Sequence, residues 1–103
     1  DQGVFQISVK RILYVETAES KNVLIHLEEG TVTAYLSLRQ IQEELNRFGR
    51  FYRCHNSYLV NFDFIRAIQR DCVLLTDGKQ LPVSRYRRKE MVKQYMEYVG
   101  GLL

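Results

Sequence analysis

The strongest constraint on what this chain can fold into is the way its hydrophobic period changes along its length. Phe5, Ile7 and Val9 alternate with polar residues, residues 12–15 and 23–27 are short runs rich in β-branched and aromatic side chains, and Thr31, Thr33 and Tyr35 alternate again. Short segments of this kind suit pleated strands. Glu28-Glu29-Gly30 is a turn signal that folds the third run back on the second as a hairpin. The period then lengthens: Leu38, Ile41, Leu45 and Phe48 fall on one face of a helix of about three turns. Ser37 followed by Gln40 has the form of a capping box, and Gly49 supplies the stop. Arg39, Gln42, Glu43 and Asn46 occupy the polar face. β character resumes over 51–60 and 65–68, and residues 73–76, Asp77-Gly78 and residues 80–83 make the clearest hairpin. Pro82, with no N–H to give a ladder, suits an edge strand or strand end. From Arg87, the positions of Met91, Tyr95, Met96 and Val99 return to helical spacing, and Gly100-Gly101 ends that helix. The expected fold is mostly β, antiparallel, with two short helices, as one domain over residues 1–103.

A chain of 103 residues closes one hydrophobic core and leaves no room for a catalytic domain beside a regulatory one. No apolar run approaches the ~18 residues of a membrane span, and the first residues lack the basic and apolar regions of a signal peptide. Cys54 and Cys72 have no framework spacing, which points to free thiols in a reducing compartment. A cytoplasmic location is expected. The chain opens on Asp1 and not on methionine, so it reads as a fragment of something longer.

Charge is unevenly placed. Residues 1–46 carry four basic and seven acidic side chains, net −3, whereas residues 47–93 carry eleven basic and four acidic, net +7. Such an imbalance attracts polyanions, nucleic acid foremost, although charge runs also occur as plain solvated faces.

Few constellations carry catalytic chemistry. Cys54-His55 suggests a nucleophile and base, but successive strand residues point to opposite faces, which is poor geometry for a hydrogen-bonded pair. Cys54, Cys72, His26 and His55 lack zinc spacing, and no phosphate-binding glycine loop, nucleophile elbow or H-E-x-x-H occurs. No catalytic residue, metal or cofactor is expected. What remains is basic and polar: Arg53, His55, Asn56 and Ser57 within a frame of Phe51, Tyr52, Tyr58, Leu59 and Val60, and Ser84-Arg85-Tyr86-Arg87-Arg88-Lys89 at a strand-to-helix junction. Asn pairs bidentately with adenine and Arg with guanine, and a helix N-terminus favours an anion. The same residues also have bland readings, Asn56 as a turn former and Arg85 in a surface ion pair.

The run Phe51-Tyr52-Arg53-Cys54-His55-Asn56-Ser57-Tyr58-Leu59-Val60-Asn61, followed by Leu81-Pro82-Val83-Ser84-Arg85, closely resembles the LytTR family of bacterial DNA-binding domains. Ile12-Leu13-Tyr14-Val15-Glu16, Ser37-Leu38 and Asp77-Gly78 are similar to the family's early strand, helix start and last hairpin, so the likeness covers nearly the whole chain. The resemblance implies an elongated stack of antiparallel β-sheets whose loops enter successive major grooves. It implies the C-terminal output domain of a two-component response regulator, with a receiver or sensor domain lying N-terminal to it and an upstream histidine kinase acting through that receiver. It further implies promoter direct repeats read by two protomers. Carried over by position, Asn56 and Arg85 read bases, and Lys21 belongs to a third contact loop where some members carry His. Ser57, Asn22, Arg87 and Arg88 follow as phosphate contacts, with adenine a candidate base for Asn56.

Two rival classes make different demands. An RNA-binding or protein-interaction β module would use exposed aromatics such as Tyr52, Tyr58 or Tyr86. An enzyme would need Cys54 or His55 in an open pocket with a perturbed pKa.

Overall fold

The structure, a computed structural model, describes residues 6–102. Strands β1 (Ile12–Thr17), β2 (Val23–Leu27) and β3 (Gly30–Ala34) form a meander, followed by helix α1 (Leu38–Leu45). Next come β4 (Phe51–His55) and β5 (Tyr58–Asn61), then β6 (Ile65–Ile68), β7 (Cys72–Leu75) and β8 (Gln80–Pro82), and finally helix α2 (Arg85–Leu102). The strands make two sheets, a five-stranded one in the order β3-β2-β1-β5-β4 and a three-stranded one in the order β6-β7-β8. All pairings are antiparallel. The molecule is elongated, 40 × 28 × 25 Å, and the mostly β architecture with two helices is the expected one.

The five-stranded sheet is covered on both faces. On one, Leu38, Ile41 and Leu45 of α1 pack against Val15, Val23, Ile25 and Leu59. On the other, Leu13, Cys54 and Val60 meet Val73, Leu75 and Leu81 of the second sheet and Met91 of α2. A strand buried on both faces needs apolar residues in unbroken succession, which is why Ile12, Leu13, Tyr14 and Val15 are all buried. Each such side chain contributes about 1.5–3 kcal/mol of transfer free energy. Asn61, fully buried, ties β5 to the start of β1 and caps the turn that follows it: Nδ2 donates to the Ile12 carbonyl at 2.8 Å and Oδ1 accepts from the Asp63 N–H at 2.9 Å.

Local signals account for most boundaries. Ser37 and Gln40 close the capping box reciprocally, at 2.9 and 3.0 Å. α1 tightens into a 3-10 turn over Asn46–Phe48, and Gly49 ends it at φ 67°, a left-handed conformation that favours glycine. Pro82 lies on β8, an edge strand.

Four expectations are corrected. Ile7 and Val9 form no strand: Val9–Arg11 is a 3-10 turn, and both side chains pack against the α1 core. Phe5, the first residue of that run, lies outside the described residues. The 51–60 run divides at Asn56-Ser57 into two paired strands. Tyr35 falls beyond β3 and is 68% exposed. Helix α2 begins at Arg85 and passes through Gly100-Gly101. Its inward face is Met91, Tyr95 and Tyr98, with Met96 exposed, because Phe62 packs on both tyrosines at centroid distances of 5.6 Å, T-shaped with Tyr95 and tilted with Tyr98.

Candidate nucleic-acid interface

Antiparallel connection places three loops at one end of the molecule. β1 runs toward the segment 18–22, while β4 ends and β5 begins at the two-residue turn Asn56-Ser57. Glu16 of β1 pairs with Tyr58 of β5, and the Thr17 N–H donates to the Ser57 carbonyl at 3.0 Å. The N-terminus of α2 arrives at the same end: the Ser84 N–H donates to the Cys54 carbonyl at 2.8 Å, and the Tyr52 hydroxyl donates to the Arg87 carbonyl at 3.3 Å. The Glu28-Glu29 turn lies at the far end of β2.

Lys21 and Asn22 sit in a short loop closed by the Ala18 N–H on the Asn22 carbonyl at 2.9 Å. Lys21 has φ 67°, the one positive φ on a non-glycine residue among the described residues. A lysine held there costs about 1–2 kcal/mol of local strain, a cost more often met at binding loops than in plain connections. Asn56 is exposed at the turn. Its carbonyl accepts from Arg53 Nη2 at 2.6 Å and its side-chain Oδ1 accepts from Arg87 Nη2 at 3.3 Å. Ser57 is half-buried, and its N–H donates to His55 Nδ1 at 3.1 Å.

Arg85, the first residue of α2, is exposed and projects from a helix N-terminus, where backbone N–H groups add to its attraction for anions. Arg87 is largely spent within the protein, donating to the Arg53 carbonyl at 3.2 Å and the Tyr86 hydroxyl at 3.2 Å as well as to Asn56. Arg88 Nε donates to the Gln69 carbonyl at 2.9 Å, which ties it to the β6–β7 turn. Lys21, Asn56 and Arg85 are thus brought to one end, whereas Arg87 and Arg88 serve partly as braces.

Charge follows the same polarity. The pairs Arg11–Glu29 (3.0 Å) and Arg50–Asp63 (3.1 Å) lie at the end away from these loops, and Arg39–Glu43 (3.7 Å) lies along α1. Among the described residues, Lys21, Arg53, Arg85, Arg87 and Arg88 make no ion pair. No ion pair ties up these cations, and the carboxylates that share this end are Glu19 in the Lys21 turn and Glu16 beside Tyr58. Arg53 shows the strain of this crowding: burial first, and the Arg87 charge second, hold its pKa below the ordinary arginine value.

Neither rival constellation assembles. Cys54 is fully buried, its thiol directed at the Tyr58 carbonyl (3.9 Å) and pushed up to about 12 by burial. His55 instead accepts from Ser57, so the two do not pair. Of the three aromatics a single-strand reader would use, Tyr52 and Tyr58 pack against the core and only Tyr86 is well exposed, at 73%. One free ring is not the multi-base platform such readers need.

Arg53 is the residue that reading by sequence left out of the site. The sequence groups it with His55, Asn56 and Ser57 but gives it no DNA contact, and its placement depends on Gln42 of α1 and Asn56, both brought to it by the fold.

A family model of the LytTr DNA-binding domain matches residues 2–96. Among solved structures, the chain is similar to one described as the LytTr DNA-binding domain of a methyl-accepting/DNA response regulator from Bacillus cereus. That structure is 30% identical over 90% of this chain and 88% of its own, with a TM-score of 0.77. No curated protein matches the chain.

Proposed function

The chain belongs to the LytTR family of DNA-binding domains, and from that premise we propose that it reads a specific duplex sequence with the three loops at its basic end. Asn56, Arg85 and Lys21 are the base-reading side chains of this proposal. Ser57, Asn22 and the donors that Arg87 and Arg88 retain hold the phosphates. The carrying observation is the convergence of cations: Lys21, Arg53, Arg85, Arg87 and Arg88, which make no ion pair among the described residues, meet the exposed Asn56 amide at one end, while Arg11–Glu29 and Arg50–Asp63 stand at the other. Backbone contacts fix register and base contacts specify sequence, so a cluster holding both is what a groove reader requires.

The domain acts in the cytoplasm as the non-enzymatic output module of a response regulator, following a receiver domain that a histidine kinase phosphorylates. The 30% identical relative from a response regulator supports that placement. Two such domains occupy direct repeats, their loops entering successive major grooves. No helix among the described residues is long and apolar enough to cross a membrane.

Selection of binding sites from random duplex DNA, followed by affinity measurement with Arg85→Ala, tests the reading. Loss of one bidentate arginine contact costs about 1–3 kcal/mol on the selected site and relaxes preference at one position. If about five phosphates are neutralised, a fourfold rise in salt weakens binding several hundredfold. No enriched sequence, or an Arg85→Ala variant with unchanged affinity and preference, would refute the proposal.

A further inference from the structure

The two sheets leave four outer strands among the described residues, β3 and β4 on the larger sheet and β6 and β8 on the smaller. An outer strand offers a row of unpaired N–H and C=O groups to any other strand, and folds guard such edges with bulges, prolines, charges or a covering element. Three of the four are guarded here. β4 breaks register between Tyr52 and His55 and has α2 packed against it. β6 breaks register between Ile65 and Ala67 and carries Arg66. β8 is three residues long and ends on Pro82.

β3 has none of these devices. Its sequence, Gly30-Thr31-Val32-Thr33-Ala34, holds no charge and no proline, and its register with β2 is unbroken. Gly30, Thr31 and Thr33 are exposed. The two-residue turn Glu28-Glu29 closes on the pair Leu27–Gly30, so Gly30, Val32 and Ala34 are the residues that exchange hydrogen bonds with β2. The N–H and C=O groups of Thr31 and Thr33 therefore point away from β2, out of the sheet's edge. No turn, loop or cap hydrogen bond among the described residues takes them up.

We infer that β3 is an interaction edge that pairs antiparallel with β3 of a second copy of this chain. The open groups fix the register. With Val32 opposite the partner's Val32, Thr31 meets the partner's Thr33 and Thr33 meets the partner's Thr31, and each of these pairs closes both of its backbone hydrogen bonds. Cross-strand threonine pairs are themselves favourable. The strand is thus complementary to itself, as a two-fold interface requires. Strand reversal also brings the acidic turn Glu28-Glu29 of each copy to the end of its partner that carries Lys21, and holds the two acidic turns apart. A five-residue edge buries less than the about 1,600 Å² of a standard interface, so the pair forms and dissociates with concentration. Its basic ends point in opposite directions. It is therefore not the arrangement of two protomers side by side on adjacent repeats, and it does not rest on how DNA is read.

The test follows the whole chain, without DNA, by sedimentation equilibrium and backbone amide exchange at concentrations rising to the millimolar range. A reversible monomer–dimer equilibrium is expected. The Thr31 and Thr33 amides, open in the monomer, gain protection as concentration rises, while the Val32 amide, already bonded to β2, changes little. Two double variants at these exposed positions then read the register. Thr31→Lys with Thr33→Lys sets like charges directly opposite each other at both pairs and weakens the dimer about tenfold. Thr31→Lys with Thr33→Glu sets opposite charges at the same two pairs and restores it. Protection of the Val32 amide shows in each variant that the β2–β3 hairpin is intact. A chain that stays monomeric at millimolar concentration, Thr31 and Thr33 amides whose exchange ignores concentration, or a dimer that responds alike to both double variants overturns the inference.

Discussion

Asn56 offers a base edge one carbonyl oxygen that accepts and one amide NH2 that donates, and bidentate reading of adenine uses both. Arg87 Nη2 already donates to Oδ1 at 3.3 Å, which leaves Nδ2 as the group free to face outward. A lone donor meets an acceptor on guanine, thymine or adenine N7 alike, so the preference for adenine that bidentate pairing gives is weakened while Arg87 holds the amide. Arg87→Leu frees Oδ1 and is expected to move the preference at that one position toward adenine, by about 1–3 kcal/mol of discrimination. Selecting sites with both proteins and comparing that column decides it; an identical column means Arg87 does not orient Asn56. Asn61, in the same motif, has a different job. Asn61→Ala leaves the Ile12 carbonyl and the Asp63 N–H without their partners, at about 1–3 kcal/mol for each group that stays dry. Urea unfolding would show that loss with DNA contacts untouched.

Among the elements, α1 and the β7–β8 hairpin were legible because their signals are local: a capping box, a period, an Asp-Gly turn. α2 shows where local signals stop. Gly100-Gly101 is a strong stop in sequence, yet Tyr95 and Tyr98 pack on Phe62 and the Tyr98 hydroxyl donates to Asp63, and the helix runs on. These contacts hold the helix as far as Tyr98, and the two exposed glycines prolong it at a propensity cost of about 1 kcal/mol each. An ideal Cβ at either glycine meets no atom within 4 Å. Gly100→Ala and Gly101→Ala are therefore expected to raise the melting temperature, each by up to about 1 kcal/mol reduced by fraying at the helix end; a fall would show that the glycines cap. The candidate site divides the same way. Asn56 and Arg85 are singled out by their positions in the motifs of the resemblance, but the bond between Arg87 and Asn56 joins residues 31 apart, and no pattern along the chain announces it. The left-handed backbone at Lys21 is equally silent, since lysine carries no signal for positive φ.

At the scale of the whole molecule, burial on both faces of the central sheet makes stability sensitive to alkali. Tyr14, 4% exposed, is pushed up to about 12 by burial and then by the Glu16 charge, and Cys54 is pushed up to about 12 by burial. Tyr52, Tyr58 and Tyr98 shift upward too, burial leading in each. A group whose folded pKa is raised binds its proton more tightly in the native state. Its contribution is complete below the unfolded pKa, 9.0 for the thiol and 10.0 for the phenols, and is lost as pH climbs toward the folded value. Tyr14 and Cys54, raised furthest, contribute most to this dependence. Urea midpoints should therefore be insensitive to these groups up to about pH 9 and fall steeply from there toward pH 12. Tyr14→Phe keeps the packing and the stack on His26, removes the ionisable hydroxyl, and should flatten the descent above pH 10. A wild-type midpoint that holds level to about pH 11, or a Tyr14→Phe curve that falls as steeply as the wild type, would place the phenol in contact with solvent and contradict a sheet sealed on both sides.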